Sequence, residues 1–189
     1  MKVSLQHVFQ KTALSLLSAV LFVSFFKLNG WMFAFFEYSE GISWVFLPAG
    51  FRIVLVLVLG LPGAVGLMLG SWFIDLALFN SETALLAFMN GVVGGFTPWL
   101  VMKYLQRRQW LSPQLHALTA SKLLNITLIF SAASALAHQL VWWLLDRPEF
   151  NIWVDIWPMF FGNVLGALLM LYGFKFLLDR TRKLNRKIF

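Results

Sequence analysis

The run WVFLPAGFRIVLVLVLGLPGAVGLMLGSWFIDLALF, residues 44–79, decides the fold. Only Arg52 and Asp75 interrupt its apolar character, and it is too long for one membrane crossing, which takes about 20 residues. Gly60-Leu61-Pro62-Gly63 divides it, because proline withholds a backbone donor and glycine accepts the conformations of a tight turn. The run therefore reads as two antiparallel spans, at about residues 42–60 and 63–79.

Four further apolar runs lie outside it, at about 12–27 (continuing through Trp31 to Phe36), 83–102, 123–145 and 156–178. The 189 residues are 60% hydrophobic and 12% charged, with a mean hydropathy of +0.77. A soluble domain is about 45–50% apolar and about 25% charged. The expected fold class is all-α, a polytopic membrane helical bundle of six transmembrane helices. It forms one transmembrane domain over residues 1–189, with a basic tail at 179–189. Six spans use about 120 residues, which leaves short loops and tails and no soluble catalytic domain. Cysteine is absent, which excludes disulfides, thiolate metal sites and a cysteine nucleophile.

Charge tests the six-span reading independently. With the N-terminus inside, cytoplasmic segments hold Lys2, Lys11, Lys103, Arg107, Arg108, Lys122, Lys175, Arg180, Arg182, Lys183, Arg186 and Lys187. Outer segments hold Lys27 and Arg147, together with Glu37, Glu40, Glu82, Asp146, Glu149 and Asp155. This is the positive-inside pattern, so both termini are expected in the cytoplasm of a bacterial inner membrane. The net charge of +7 comes from the Lys103–Arg108 turn and the C-terminal tail. Beside apolar spans these clusters read as anchors on anionic lipid or a docking face for a protein partner, not as a nucleic-acid surface. The first run has the outline of a signal peptide, with Leu17-Ser18-Ala19 as a small-residue site. Removing it would put the remaining loops on the wrong sides, so it reads as a retained span.

Small residues recur at four-residue spacing: Gly66 with Gly70, Gly91 with Gly95, and Gly162 with Gly166. In lipid, helices associate by close backbone approach, which such pairs permit. Phe88–Gly95 and Phe160–Ala167 also look alike at an offset of about 72 residues, as parallel repeats in membrane carriers do. Most tryptophans fall near span ends, where an aromatic belt is expected.

Ionisable groups inside a span are costly and are site candidates by default. At about 1.5 Å of rise per residue, Asp75, Asn90, His138 and Asn163 reach nearly one level in the outer half of the membrane. Arg52 starts lower and can reach up toward Asp75. Two readings stay open: an interhelical hydrogen-bond layer, or an outward-facing pocket roofed by Trp44, Trp72 and Trp157. Asn125, near the cytoplasmic end, reads as structural. Pro48 and Gly50 break the start of the second span, and irregular backbone at that depth is tolerated only when it is buried in protein or lines a cavity. No catalytic motif or metal-binding cluster is present, His7 and His116 lie outside the spans, and no cofactor is expected.

The segment Trp44-Val45-Phe46-Leu47-Pro48-Ala49-Gly50-Phe51-Arg52, its aliphatic continuation, and Gly60-Leu61-Pro62-Gly63-Ala64-Val65-Gly66 through Gly70 resemble the MASE1 family of bacterial membrane-associated sensor domains. Phe161-Gly162-Asn163-Val164-Leu165-Gly166 is similar to that family's late Gly-Asp-x-x-Gly segment, with asparagine in place of the acid. The resemblance implies an inner-membrane sensory module. Members usually have about eight helices and feed a kinase or cyclic-dinucleotide domain. This chain has neither, so a separate protein partner is implied. Two other classes fit six helices in this length. One is the substrate-binding subunit of an energy-coupling-factor transporter, docking through Ala13, Ser15, Ser18 and Ala19. The other is an accessory subunit of a larger membrane complex, docking through its glycine faces.

Overall fold

A computed structural model describes residues 5–39, 41–80, 83–111, 119–147 and 150–188; the side chains of residues 175, 177–179 and 181–188 lie outside that description. The described residues are helical apart from a short hairpin and the connecting turns. Helix α1 is Leu5–Phe33, followed by a 3₁₀ turn at Ala34–Phe36. Strands β1 (Glu37–Ser39) and β2 (Ile42–Ser43) pair antiparallel. Next come α2 (Leu47–Leu59), α3 (Leu61–Ile74), a 3₁₀ turn at Leu76–Leu78, α4 (Ala84–Arg107), α5 (Ala120–Leu144) and α6 (Ile152–Ile188).

Four segments are long and apolar enough to cross a membrane: Leu5–Phe36, Ala84–Arg107, Ala120–Leu144 and Ile152–Phe174. The α2 and α3 helices are shorter, at 13 and 14 residues, about 20 Å each. They are joined at Gly60, whose φ of +62° is a conformation that glycine adopts without penalty. Pro48 and Pro62 sit in the first turns of these helices, where no intrahelical donor is needed.

The shortness of α2 corrects the expected span at 42–60. Helix begins only at Leu47, and residues 42–46, a short strand followed by bends, lie along α6. Phe46 N–H donates to the Gly162 carbonyl at 3.1 Å. A methyl group on Gly162 would meet the Ser43 carbonyl, and one on Gly166 the Phe46 carbonyl. The two glycines thus hold non-helical backbone, where helix packing was expected. This is how exposed peptide groups can be buried at membrane depth.

The other expected glycine pairs do join helices. Gly66 and Gly70 receive Ser15, Ser18, Ala19 and Phe22 of α1, so α1 and α3 run in the same direction. Gly91 and Gly95 of α4 receive Trp72, Met68 and Ala64 of the oppositely directed α3. The likeness between Phe88–Gly95 and Phe160–Ala167 therefore does not extend to packing partners.

Helices α1, α3, α4, α5 and α6 form an arc, and α2 lies inside it, touching all five. A helix apolar on every side belongs in such a place, and Pro48 through Ile53 are all buried. Phe25 of α1 stacks on Phe51 at 4.1 Å. One apolar cluster, including Phe51, Val56, Leu67, Met102 and Phe130, fills the bundle toward the end that holds Gly60, Lys103 and Lys122. A smaller one, Ile42, Ala135, Val141, Trp142 and Met159, lies toward the hairpin.

Candidate functional site

Between the two clusters lies a cavity of about 120 Å³, to which every helix and the hairpin contribute. A water needs about 10–15 Å³ by this measure, so the space holds several waters or one small molecule. Five of the six expected binding residues line it: Arg52 from α2, Asp75 at the end of α3, Asn90 from α4, His138 from α5 and Asn163 from α6. Trp44 does not. It is 40% exposed and packs edge-on against Tyr38 at 6.0 Å, because the segment 42–46 turns it away from the bundle. Trp72 and Trp157 are no roof either. Trp72 stacks on Phe88 and donates Nε1–H to the Phe88 carbonyl at 3.0 Å, while Trp157 is exposed and stacks on Phe161. The roof consists of Gly41, Ile42 and Ser43 of the hairpin, together with Trp142.

Each lining group is held by local geometry. Arg52 is 8% exposed, and its guanidinium carbon stands over the faces of Phe22 and Phe46, at 5.0 and 5.4 Å from their centroids. Those faces stabilise the cation, and Asp75 interacts with it electrostatically. Its Nε has no hydrogen-bond partner, and neither has the buried Ser71 Oγ one turn before Asp75. Asn90 Oδ1 accepts from Trp142 Nε1 at 2.8 Å. His138 Nδ1 lies 2.9 Å from the Ser134 carbonyl, so Nδ1–H is the donor of that bond. Arg147 in the following turn covers the Trp142 ring at 3.8 Å.

The segment beneath the roof is tied to α1 as well as to α6. Asn29, buried on α1, accepts from the Leu47 N–H at 2.9 Å. It caps the first turn of α2, whose leading N–H groups have no partners of their own.

The residues that the sequence reading missed, Ser71, Ser134 and Trp142, were signalled by spacing. Ser71 precedes Asp75 by one turn, and Thr127, Ser131, Ser134, His138 and Trp142 fall on a single face of α5; all five are buried.

The basic residues lie apart from the cavity. Lys103, Arg107, Arg108 and Arg180 are exposed; Lys103 sits over Trp99 and Arg108 over Tyr104. The side chains of Arg182, Lys183, Arg186 and Lys187 lie outside the described residues. Asn125 lines a separate recess beside Trp110 and Lys122. Among the described residues, no three His, Asp or Glu side chains are grouped to hold a metal.

The arrangement defines an apolar helical bundle with a polar, partly unsatisfied cavity at the level of Arg52 and Asn163. No family model, no curated protein and no solved structure matches this chain.

Proposed function

We propose that the chain is a sensory module of the bacterial inner membrane. It has six spans with both ends cytoplasmic, binds a small molecule in a cavity open to the outer side, and acts through a protein partner. The observation that carries this reading is the convergence of all six helices on one cavity lined by Arg52, Asp75, Asn90, His138 and Asn163. Orientation rests on the positive-inside pattern: Lys11, Lys103, Arg107, Arg108 and Lys122 cluster toward the Gly60 turn, and the hairpin carries Glu37. The exposed apolar faces meet lipid.

Two features favour sensing over the alternatives. Helix α6 carries Asn163 in the cavity wall and continues without a break to Ile188, a rigid connection between ligand and partner. Docking to a transporter coupler through Ala13, Ser15, Ser18 and Ala19 would need that face to be free; Ala13 is exposed, but α3 packs on Ser15, Ser18 and Ala19. Likewise Gly91 and Gly162 are occupied inside the bundle, which leaves no glycine face there for assembly into a larger complex. The resemblance to MASE1 sensors points the same way.

Purification in mild detergent from native membranes, with mass spectrometry of the bound proteins, tests this proposal. A histidine kinase or a cyclic-dinucleotide enzyme is expected. An ATPase pair with a membrane coupler would replace sensing by transport.

A further inference from the structure

The geometry points to a small zwitterion with an apolar side chain, the chemistry of a neutral amino acid, as the ligand of this cavity; the inference rests on the cavity being the binding site proposed above. Arg52 is more than nine-tenths buried, and the ring faces of Phe22 and Phe46 compensate its charge without accepting its in-plane N–H groups. Nε–H finds no acceptor in the protein. Ser71 Oγ, also buried and unpartnered, converges on the same place. A methyl group on Gly94 would stand 3.2 Å from Ser71 Oγ and 3.5 Å from Arg52 Nη2. A planar cationic donor and a neighbouring hydroxyl that line one cavity suit a carboxylate, which takes guanidinium N–H groups in its own plane.

Asp75 lines the same cavity and interacts electrostatically with Arg52. A ligand with only a carboxylate would leave excess negative charge at membrane depth, where unbalanced charge is costly. An ammonium group directed to Asp75 keeps the total at zero. The remaining wall includes Phe26, Ile42, Ile74 and Met159, which suits a short apolar side chain, and about 120 Å³ suits one small molecule.

The test is calorimetry and thermal unfolding on the full chain in lipid nanodiscs. Each neutral apolar amino acid is compared with its des-amino carboxylate and its decarboxylated amine, for example L-leucine, 4-methylpentanoate and 3-methylbutylamine. At least one amino acid is expected to bind 10-fold or more tightly than both analogues, on the order of one charge-assisted hydrogen bond. Ser71→Ala should weaken binding about 10-fold without lowering the unfolding temperature, because its buried hydroxyl has no protein partner to lose. Asp75→Asn should abolish the preference for the amino acid over its carboxylate. Equal binding of carboxylate and amino acid, or no binding by any of the panel, overturns the zwitterion. Stabilisation by a metabolite extract that Arg52→Ala abolishes would then preserve the sensory reading, whereas failure of the extract as well would remove both.

Discussion

Gly162→Ala tests the most unusual contact in the fold. The added methyl group falls on the Ser43 carbonyl oxygen and 3.0 Å from its carbon. Both atoms belong to backbone that cannot rotate away, so residues 42–46 must retreat from α6. Overpacking of this kind costs about 1–3 kcal/mol. Retreat also strains the hydrogen bond from Phe46 N–H to the Gly162 carbonyl, worth about 1 kcal/mol. Alanine gains about 1 kcal/mol over glycine within a helix, which offsets that loss and leaves a net destabilisation of about 1–3 kcal/mol. Reversible unfolding in mixed micelles, followed by tryptophan fluorescence, reads this directly. Gly173→Ala on the same helix is the control, because nothing lies within 4 Å of the site; it should be neutral or stabilising. Equal behaviour of the two variants would refute the docking of residues 42–46 on α6. Because Ser43 belongs to the cavity roof, Gly162→Ala should also weaken ligand binding.

Other expectations follow from single contacts. Asn29→Ala should destabilise by about 0.5–2 kcal/mol in the same unfolding assay, since the Leu47 N–H then loses its acceptor. Trp142→Phe keeps an aromatic ring beside Phe150 and Arg147 but removes the 2.8 Å bond to Asn90; a loss of about 0.5–1.5 kcal/mol is expected. The absence of cysteine makes single-cysteine mapping clean. In intact spheroplasts, a membrane-impermeant maleimide should label Glu37→Cys and Trp153→Cys, and should label Lys103→Cys and Arg180→Cys only after lysis. Labelling of Arg180→Cys without lysis would contradict cytoplasmic termini.

The parts legible in the sequence are those that local chemistry dictates. Gly60 and Pro62 split the long apolar run because no uninterrupted helix tolerates that turn, and α2 and α3 appear on either side of it. Depth counting at helical rise brought Asp75, Asn90, His138 and Asn163 to nearly one level, with Arg52 below and within reach, and all five line one cavity. The start of α2 was legible only in part: Pro48 marked irregular backbone there and sits in the first turn of the helix. Residues 42–46 are as apolar as a helix, and they are non-helical where Gly162 and Gly166, far away in sequence, admit their carbonyls. The tryptophans were misread for a related reason. Trp44, Trp72, Trp142 and Trp157 all sit near helix ends, and hydropathy cannot say which one turns inward. Trp142 does so because Asn90, on another helix, accepts its indole proton. Asn29 was not legible because the group it caps, the Leu47 N–H, belongs to a different helix.

Cysteine accessibility within the cavity tests the central claim most directly. Ser71→Cys and Ser134→Cys, both at lining positions, are treated in spheroplasts with a small membrane-impermeant methanethiosulfonate and compared with Val56→Cys, a position in the packed core. Both cavity cysteines should react from the outer face, more slowly than Glu37→Cys, and a bound ligand should protect them, while Val56→Cys stays inert. Cavity cysteines as unreactive as Val56→Cys, or reactive only from the cytoplasmic side, would contradict an outward-facing binding cavity.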